Sequence, residues 1–200
     1  DDEDSELLNY ISDDRYIPDF IKGPGIEITG TDRGTLYHKV LELLKLSRVN
    51  SYEDLLRELE AMVSAGHIIG DDIGRLNTGN IFKYSQSDVA KRIVSAEAAG
   101  KLYKEKQFVI GLKASEVYPD QDDSHELILV QGIIDLFFEE NGELVLLDYK
   151  SDIVKDENQL TSRYKVQLVY YKKALEQILD KRVKEMIIYS LYLGKEIRVV

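Results

Sequence analysis

The segment Gln131 to Lys150, QGIIDLFFEENGELVLLDYK, constrains this chain more than any other stretch. Two runs rich in Ile, Leu, Phe and Val flank Asn141-Gly142, and Asn-Gly between alternating apolar runs is the strongest short-range signal for a two-residue hairpin. With those two residues as the turn, Glu140 faces Glu143. Each step outward keeps the paired numbers at a constant sum, which sets Asp135 opposite Asp148. Lys150 follows on the face of Asp148, because strand side chains repeat every two residues. Directly opposed residues have Cβ atoms about 4.5–5.5 Å apart. Two carboxylates that close, inside apolar strands, repel each other and lose hydration. A bound divalent cation is a good reason to keep such a pair. The other reading is that Asp135 ends a strand and Asp148 with Lys150 is an ordinary ion pair. A slip of one residue would separate the carboxylates, so the inference depends on a tight turn.

Composition narrows the ligand chemistry. The chain has no cysteine, which excludes disulfides, thiolate zinc sites, iron–sulfur clusters and cysteine nucleophiles within it. With three His in total, any metal site is mainly carboxylate, which points to hard cations such as magnesium, calcium or manganese. The net charge of −11 argues against broad affinity for nucleic acid. Its distribution softens that argument: residues 1–149 carry 15 basic and 30 acidic side chains, residues 150–200 carry 11 and 7. The basic excess begins at the candidate site. The 200 residues suit one domain, and the start at Asp1 rather than Met suggests a fragment of something larger. No apolar run is long enough to span a membrane, and no signal peptide is visible.

Along the chain, residues 1–33 read as an extended arm or linker, with Pro18 and Gly23-Pro24-Gly25. Thr31 to Gly34 opens a helix to about Leu46, its apolar face made by Leu36, Tyr37, Val40, Leu41, Leu43 and Leu44. His38 lies near its start; on pattern alone, a lone helical His is usually packed or solvated. Ser51 caps a second helix with Asp54 as an acidic near-match to the capping box, to about Ala65, and Gly66 stops it. His67 then reads as a cap or surface residue. A third helix runs from Ser85 or Ser87 to Gly100, so residues 47–100 read as a helical insertion. Lys101 to Glu116 reads as the first strand, with Glu105 inside it, and His125 ends a polar loop. The hairpin occupies about 126–139 and 143–151. A helix from about Arg163 to Leu179 carries Gln167 and Tyr171, four apart and so on one side. Val183 to Leu193 is a final core strand, and Glu196 to Val200 an edge. The order of helix, helical insert, three strands, helix and strand predicts an α/β or α+β sandwich with a mixed sheet. No Walker phosphate loop, Rossmann fingerprint, Gly-x-Ser-x-Gly or Cys-His pair occurs.

Asp148-Tyr149-Lys150 puts a metal ligand and a cation on one face, with a backbone carbonyl between them, an arrangement suited to phosphodiester hydrolysis. Gly34-Thr-Leu-Tyr-His38, Gly132-Ile-Ile-Asp135, Asp148-Tyr-Lys150 and Gln167-Leu-Val-Tyr-Tyr171, in this order, resemble the successive motifs of RecB-type nucleases of the PD-(D/E)xK, restriction-endonuclease-like superfamily. The resemblance covers about residues 30–193. Tyr164-Lys-Val-Gln-Leu through Lys173-Ala-Leu-Glu176 is most similar to the C-terminal nuclease domains of the AddA (RexA) helicase–nuclease family. The resemblance implies an α-βββ-α-β core with a mixed sheet over residues 34–200, plus the helical insertion. It implies a magnesium-dependent deoxyribonuclease, exonucleolytic on single strands, in which manganese or calcium can substitute in binding. His38, Asp135 and Asp148 would bind the metal with the Tyr149 carbonyl assisting, and Lys150 would be the catalytic lysine. Gln167 and Tyr171 would position the site or the DNA backbone, and Glu105 looks like the acidic residue of the family's first strand. The implied partners are single-stranded DNA, the helicase portion of the same polypeptide and an AddB (RexB)-type subunit, without a membrane, in a bacterial cytoplasm. This chain by itself would have no ATPase activity. The alternatives are another nuclease of the superfamily, such as a phage-type exonuclease, and a catalytically inert docking module.

Overall fold

The computed structural model describes residues 33–113 and 127–200. The arm at residues 1–32, His125 and the far end of the first strand lie outside them. The described chain divides into two compact units, one of residues 33–106 with 134–200, the other of residues 107–113 with 127–133.

In the larger unit the first helix, α1, spans Arg33–Leu43, and a short 3-10 turn follows at Leu46–Arg48. Its face of Leu36, Tyr37, Val40 and Leu41 is buried, as the periodicity predicts. Then come α2 (Tyr52–Ser64), α3 (Gly70–Ile73), α4 (Thr78–Ser85) and α5 (Asp88–Ala98). Ser51 and Asp54 form a complete capping box: Ser51 Oγ accepts from the Asp54 N–H and the Asp54 carboxylate from the Ser51 N–H. Gly66 ends this helix at φ +73°, a left-handed position suited to glycine, and His67 is exposed. Between Gly66 and the expected start of the third helix at Ser85 or Ser87, the chain forms α4. Gly79 and only two turns of length hide that helix from periodicity, and tertiary burial of Ile81 and Tyr84 makes it.

The sheet has five strands in the order β1 (Leu102–Lys113), β2 (Leu127–Glu140), β3 (Glu143–Lys150), β4 (Val183–Ser190) and β5 (Lys195–Val199). Strands β2 and β3 are antiparallel, β3 and β4 parallel, β4 and β5 antiparallel, so the sheet is mixed. The parallel step needs a crossover, which α6 (Glu157–Leu179) supplies. This helix starts six residues before the expected Arg163. Asp156 caps it by accepting from the Gln159 N–H, and its polar first turns lack the apolar period by which a helix is read. The strand expected through Leu193 stops at Ser190, because Gly194 at φ +62° turns the chain back into the edge strand β5.

Alternation places the layers. Leu136, Phe138, Val145, Leu147, Tyr149, Ile187 and Tyr189 share one core with Leu55, Leu59, Ile81, Tyr84, Val89 and Ile93 of the helices. The alternate positions, Phe137, Leu144, Leu146, Asp148 and Lys150, therefore face the other side, along which α6 packs. In the smaller unit Phe108, Ile110, Leu112 and Val130 are buried, whereas Val109, Leu127, Leu129 and Ile133 are exposed.

Candidate active site

The hairpin is as tight as the Asn-Gly signal requires. Asn141 and Gly142 both have positive φ, +56° and +83°, the signature of a two-residue turn whose twist matches the strands. The pairs run from Glu140↔Glu143 to Leu136↔Leu147 at constant sum and end there, one residue short of Asp135 and Asp148. Just beyond that end the Asp135 Oδ2 accepts a hydrogen bond of 2.8 Å from the Tyr149 N–H. A side chain thus takes a donor that an unbroken ladder would give to a main-chain carbonyl. Asp135 is only 8% exposed and Asp148 1%.

The other carboxylate oxygen of Asp135 lies 3.2 Å from His38 Nδ1. The buried stripe of α1 holds this helix against the sheet and leaves His38 at the edge of the stripe, pointing at the end of the hairpin ladder. From the far side comes Glu105 of β1. Its φ of +48° is a left-handed conformation inside a strand, a local kink of the kind that re-aims a side chain. The preceding Lys104 fixes β1 to α1, its ammonium donating to the carbonyls of Leu41, Glu42 and Leu44 at 2.9–3.1 Å. Those carbonyls belong to the C-terminal end of α1, where a cation also suits the helix dipole. Ligand atoms of His38, Glu105 and Asp135 lie within 4.8 Å of one another.

Asp148 stands apart from that group and turns to Lys150, with Oδ2 2.7 Å from Nζ. The contact is at ion-pair distance but is not aligned as a hydrogen bond. The buried oxygen therefore has no directed donor among the described residues. Lys150 Nζ donates to Gln167 Oε1 at 3.2 Å and lies 4.2 Å from the centroid of the Tyr164 ring. Gln167 in turn donates through Nε2 to the Tyr171 hydroxyl at 2.6 Å. Tyr149 sends its ring to the opposite face, where its hydroxyl bonds that of Tyr84 and its edge meets His38.

The electrostatics follow from burial and crowding. Burial pushes the Asp148 carboxyl up and Asp135 adds to this, against the opposing pull of Lys150. Burial, then Asp135, raises Glu105 to about 7. Burial by itself would lower Lys150 and His38, but the carboxylates outweigh it and both are raised. Lys150 is therefore held as an ammonium. Three carboxylates and an imidazole with one fixed cation form an excess of hard donors. That donor set fits a divalent cation.

All the residues singled out by sequence meet at this place: His38, Glu105, Asp135, Asp148, Tyr149, Lys150, Gln167 and Tyr171. The grouping differs in one respect from the ligand set the resemblance implied, since Glu105 rather than Asp148 is the close neighbour of His38 and Asp135. Tyr164, Lys104 and Tyr84 were not anticipated at the site. Tyr164 had a signal, since it shares a helical stripe with Gln167 and Tyr171 at spacings of three and four. Lys104 and Tyr84 had none.

The model of the PD-(D/E)XK nuclease superfamily matches residues 14–197. Curated relatives described as A-type subunits of an ATP-dependent helicase/nuclease align over most of the chain. The protein of Lachnoclostridium phytofermentans is 37% identical over 217 residues, covering 92% of this chain and 16% of its own length. That of Alkaliphilus metalliredigens is 39% identical, covering 86% and 14%. That of Clostridium acetobutylicum is 34% identical, covering 98% and 17%. The chain thus spans about one sixth of the length of these relatives.

Proposed function

Because the chain belongs to the PD-(D/E)XK nuclease superfamily, we propose that it is the magnesium-dependent DNA nuclease domain of an AddAB (RexAB)-type complex in double-strand break repair and recombination. Nucleases of this superfamily use divalent metal ions. The observation that carries the reading is the meeting of Asp135, Asp148 and Lys150 with His38 and Glu105 at the end of one hairpin ladder. His38, Glu105 and Asp135 would hold the cation, with Asp148 and the Tyr149 carbonyl next to them on β3. Bound there, the ion would polarise a non-bridging phosphate oxygen and a water molecule.

The chain's own groups supply the rest. Lys150, kept cationic by its carboxylates, neutralises charge that develops on the phosphoryl oxygens. Gln167 orients the ammonium, and Tyr171 orients Gln167. The water oxygen bonds to phosphorus and releases a proton to solvent, the ester P–O bond breaks, and the leaving oxygen takes up a proton from solvent and departs as a hydroxyl, so that one water is consumed. The substrate is a single strand fed by the helicase portion of the parent polypeptide, with an AddB-type protein as partner, in a bacterial cytoplasm. Residues 47–100 serve as a helical insertion for packing or partner contact. With no phosphate loop in its sequence, the chain contributes no ATPase. The descriptions of the relatives support a helicase-linked nuclease over a phage-type exonuclease, and the intact carboxylates and lysine weigh against an inert docking module.

Asp148→Ala is the test. It should abolish magnesium-dependent cleavage of single-stranded DNA with the circular dichroism spectrum unchanged. A folded variant that cuts like the parent would overturn the proposal.

A further inference from the structure

Lys150 is an ammonium with three N–H donors in a nearly closed site, its side chain 12% exposed. Asp148 and Gln167 engage it on two sides. The remaining side is covered by the ring of Tyr164, one turn before Gln167 on α6. This ring is itself held. The Tyr164 hydroxyl donates to Asp152 Oδ1 at 2.9 Å, and Arg163 donates to the same oxygen at 2.8 Å. Asp152 lies two residues beyond Lys150, just past the end of β3. One short loop thus ties the helix residue back to the strand that carries the lysine. The phenol stays neutral, since burial raises it to about 12, and it presents an uncharged π face to the ammonium. A cation over an aromatic face is attracted by the ring quadrupole, and more strongly where water is excluded.

We propose that Tyr164 is a positioning residue for Lys150: its ring, clamped by Asp152, closes the third side of the ammonium pocket and holds Nζ beside Asp148. This rests on the reading of Lys150 as the cation of a hydrolytic site. The ring face is what acts on the lysine, and the hydroxyl only fixes the ring.

The experiment has two arms. In the metal-free protein, the ε-methylene proton resonances of Lys150, assigned with Lys150→Arg, are compared in the parent, Tyr164→Phe and Tyr164→Leu. The ring current should move them upfield in the parent and in Tyr164→Phe, and they should return to ordinary lysine positions in Tyr164→Leu. In the second arm, magnesium-dependent cleavage of single-stranded DNA should fall about tenfold in kcat for Tyr164→Leu with KM little changed, and stay within about threefold of the parent for Tyr164→Phe. If Tyr164→Leu does not fold, Tyr164→Met fills a similar volume without a π face and takes its place. Unshifted Lys150 resonances in the parent, or a Leu or Met variant with the parent's kcat, would overturn the inference. If Lys150→Ala itself cuts normally, the functional reading fails, and the resonance arm still decides whether Tyr164 places the lysine.

Discussion

The carboxylate of Asp135 accepts a hydrogen bond from the main-chain N–H of Tyr149, just beyond the last β2–β3 pair, Leu136↔Leu147. One oxygen of this carboxylate is spent on the fold and the other faces His38. Asp135 therefore joins the local backbone to the candidate metal site.

These two roles separate by substitution. In Asp135→Asn the amide oxygen can still accept from Tyr149, so the melting temperature should change little. The anionic donor is lost, and manganese affinity measured by calorimetry should fall by about tenfold or more. Parental affinity would remove Asp135 from the ligand set.

Lys150 has a structural consequence as well as a chemical one. Removing one partner of a buried ion pair leaves the other charge uncompensated, at a cost of about 3–5 kcal/mol. Lys150→Met should lose that order of stability in urea denaturation near neutral pH. Adding Asp148→Asn should restore a large part of it, since the surviving carboxylate is the source of the cost. A single variant as stable as the parent would show that Asp148 is already neutral without its lysine.

Lys104 links the two elements that deliver His38 and Glu105. Lys104→Met leaves carbonyls of Leu41, Glu42 and Leu44 without their donor, at a cost of about 1–3 kcal/mol. Because α1 and β1 lose their common anchor, manganese binding should weaken too, though Lys104 is no ligand. Destabilisation with unchanged affinity would confine this lysine to the fold.

Glu140 sets an acid limit on stability away from the site. Hydrogen bonds from Arg92 and then Lys184 hold its carboxyl at about 2, below the ordinary 4.5. A carboxyl depressed in the folded state stabilises fully above its unfolded pKa, and that contribution disappears as pH falls through the folded value. The melting temperature of the parent should therefore exceed that of Glu140→Gln above pH 4.5, and the gap should close toward pH 2. The pair is partly exposed, so the gap should also shrink in high salt. A gap independent of pH would mean that the substitution acts through packing instead.

Where interactions are local, the sequence carries much of the structure. Asn141-Gly142 and the alternation around it determined the turn and the register from Glu140↔Glu143 to Leu136↔Leu147, since turn chemistry and period-two patterning act between near neighbours. The stripe of α6 likewise determined that Gln167 and Tyr171 share a side. His38 was different. Its helix was legible in the sequence, but its place at the site came from resemblance, because no local rule says which strand a helix will meet.

Tertiary structure alone decided the rest. Only the folded chain turns Glu105 to positive φ beside His38 and Asp135, sets Lys104 on the end of α1, and lays Tyr164 over Lys150. Each of these joins residues far apart in the chain through packing that no local pattern encodes. The sequence by itself determined that two carboxylates and a lysine would share one end of a hairpin. The tertiary structure decided which further donors surround them and that the lysine remains charged. Burial and the approach of other elements set those energies, and both exist only once the chain has folded.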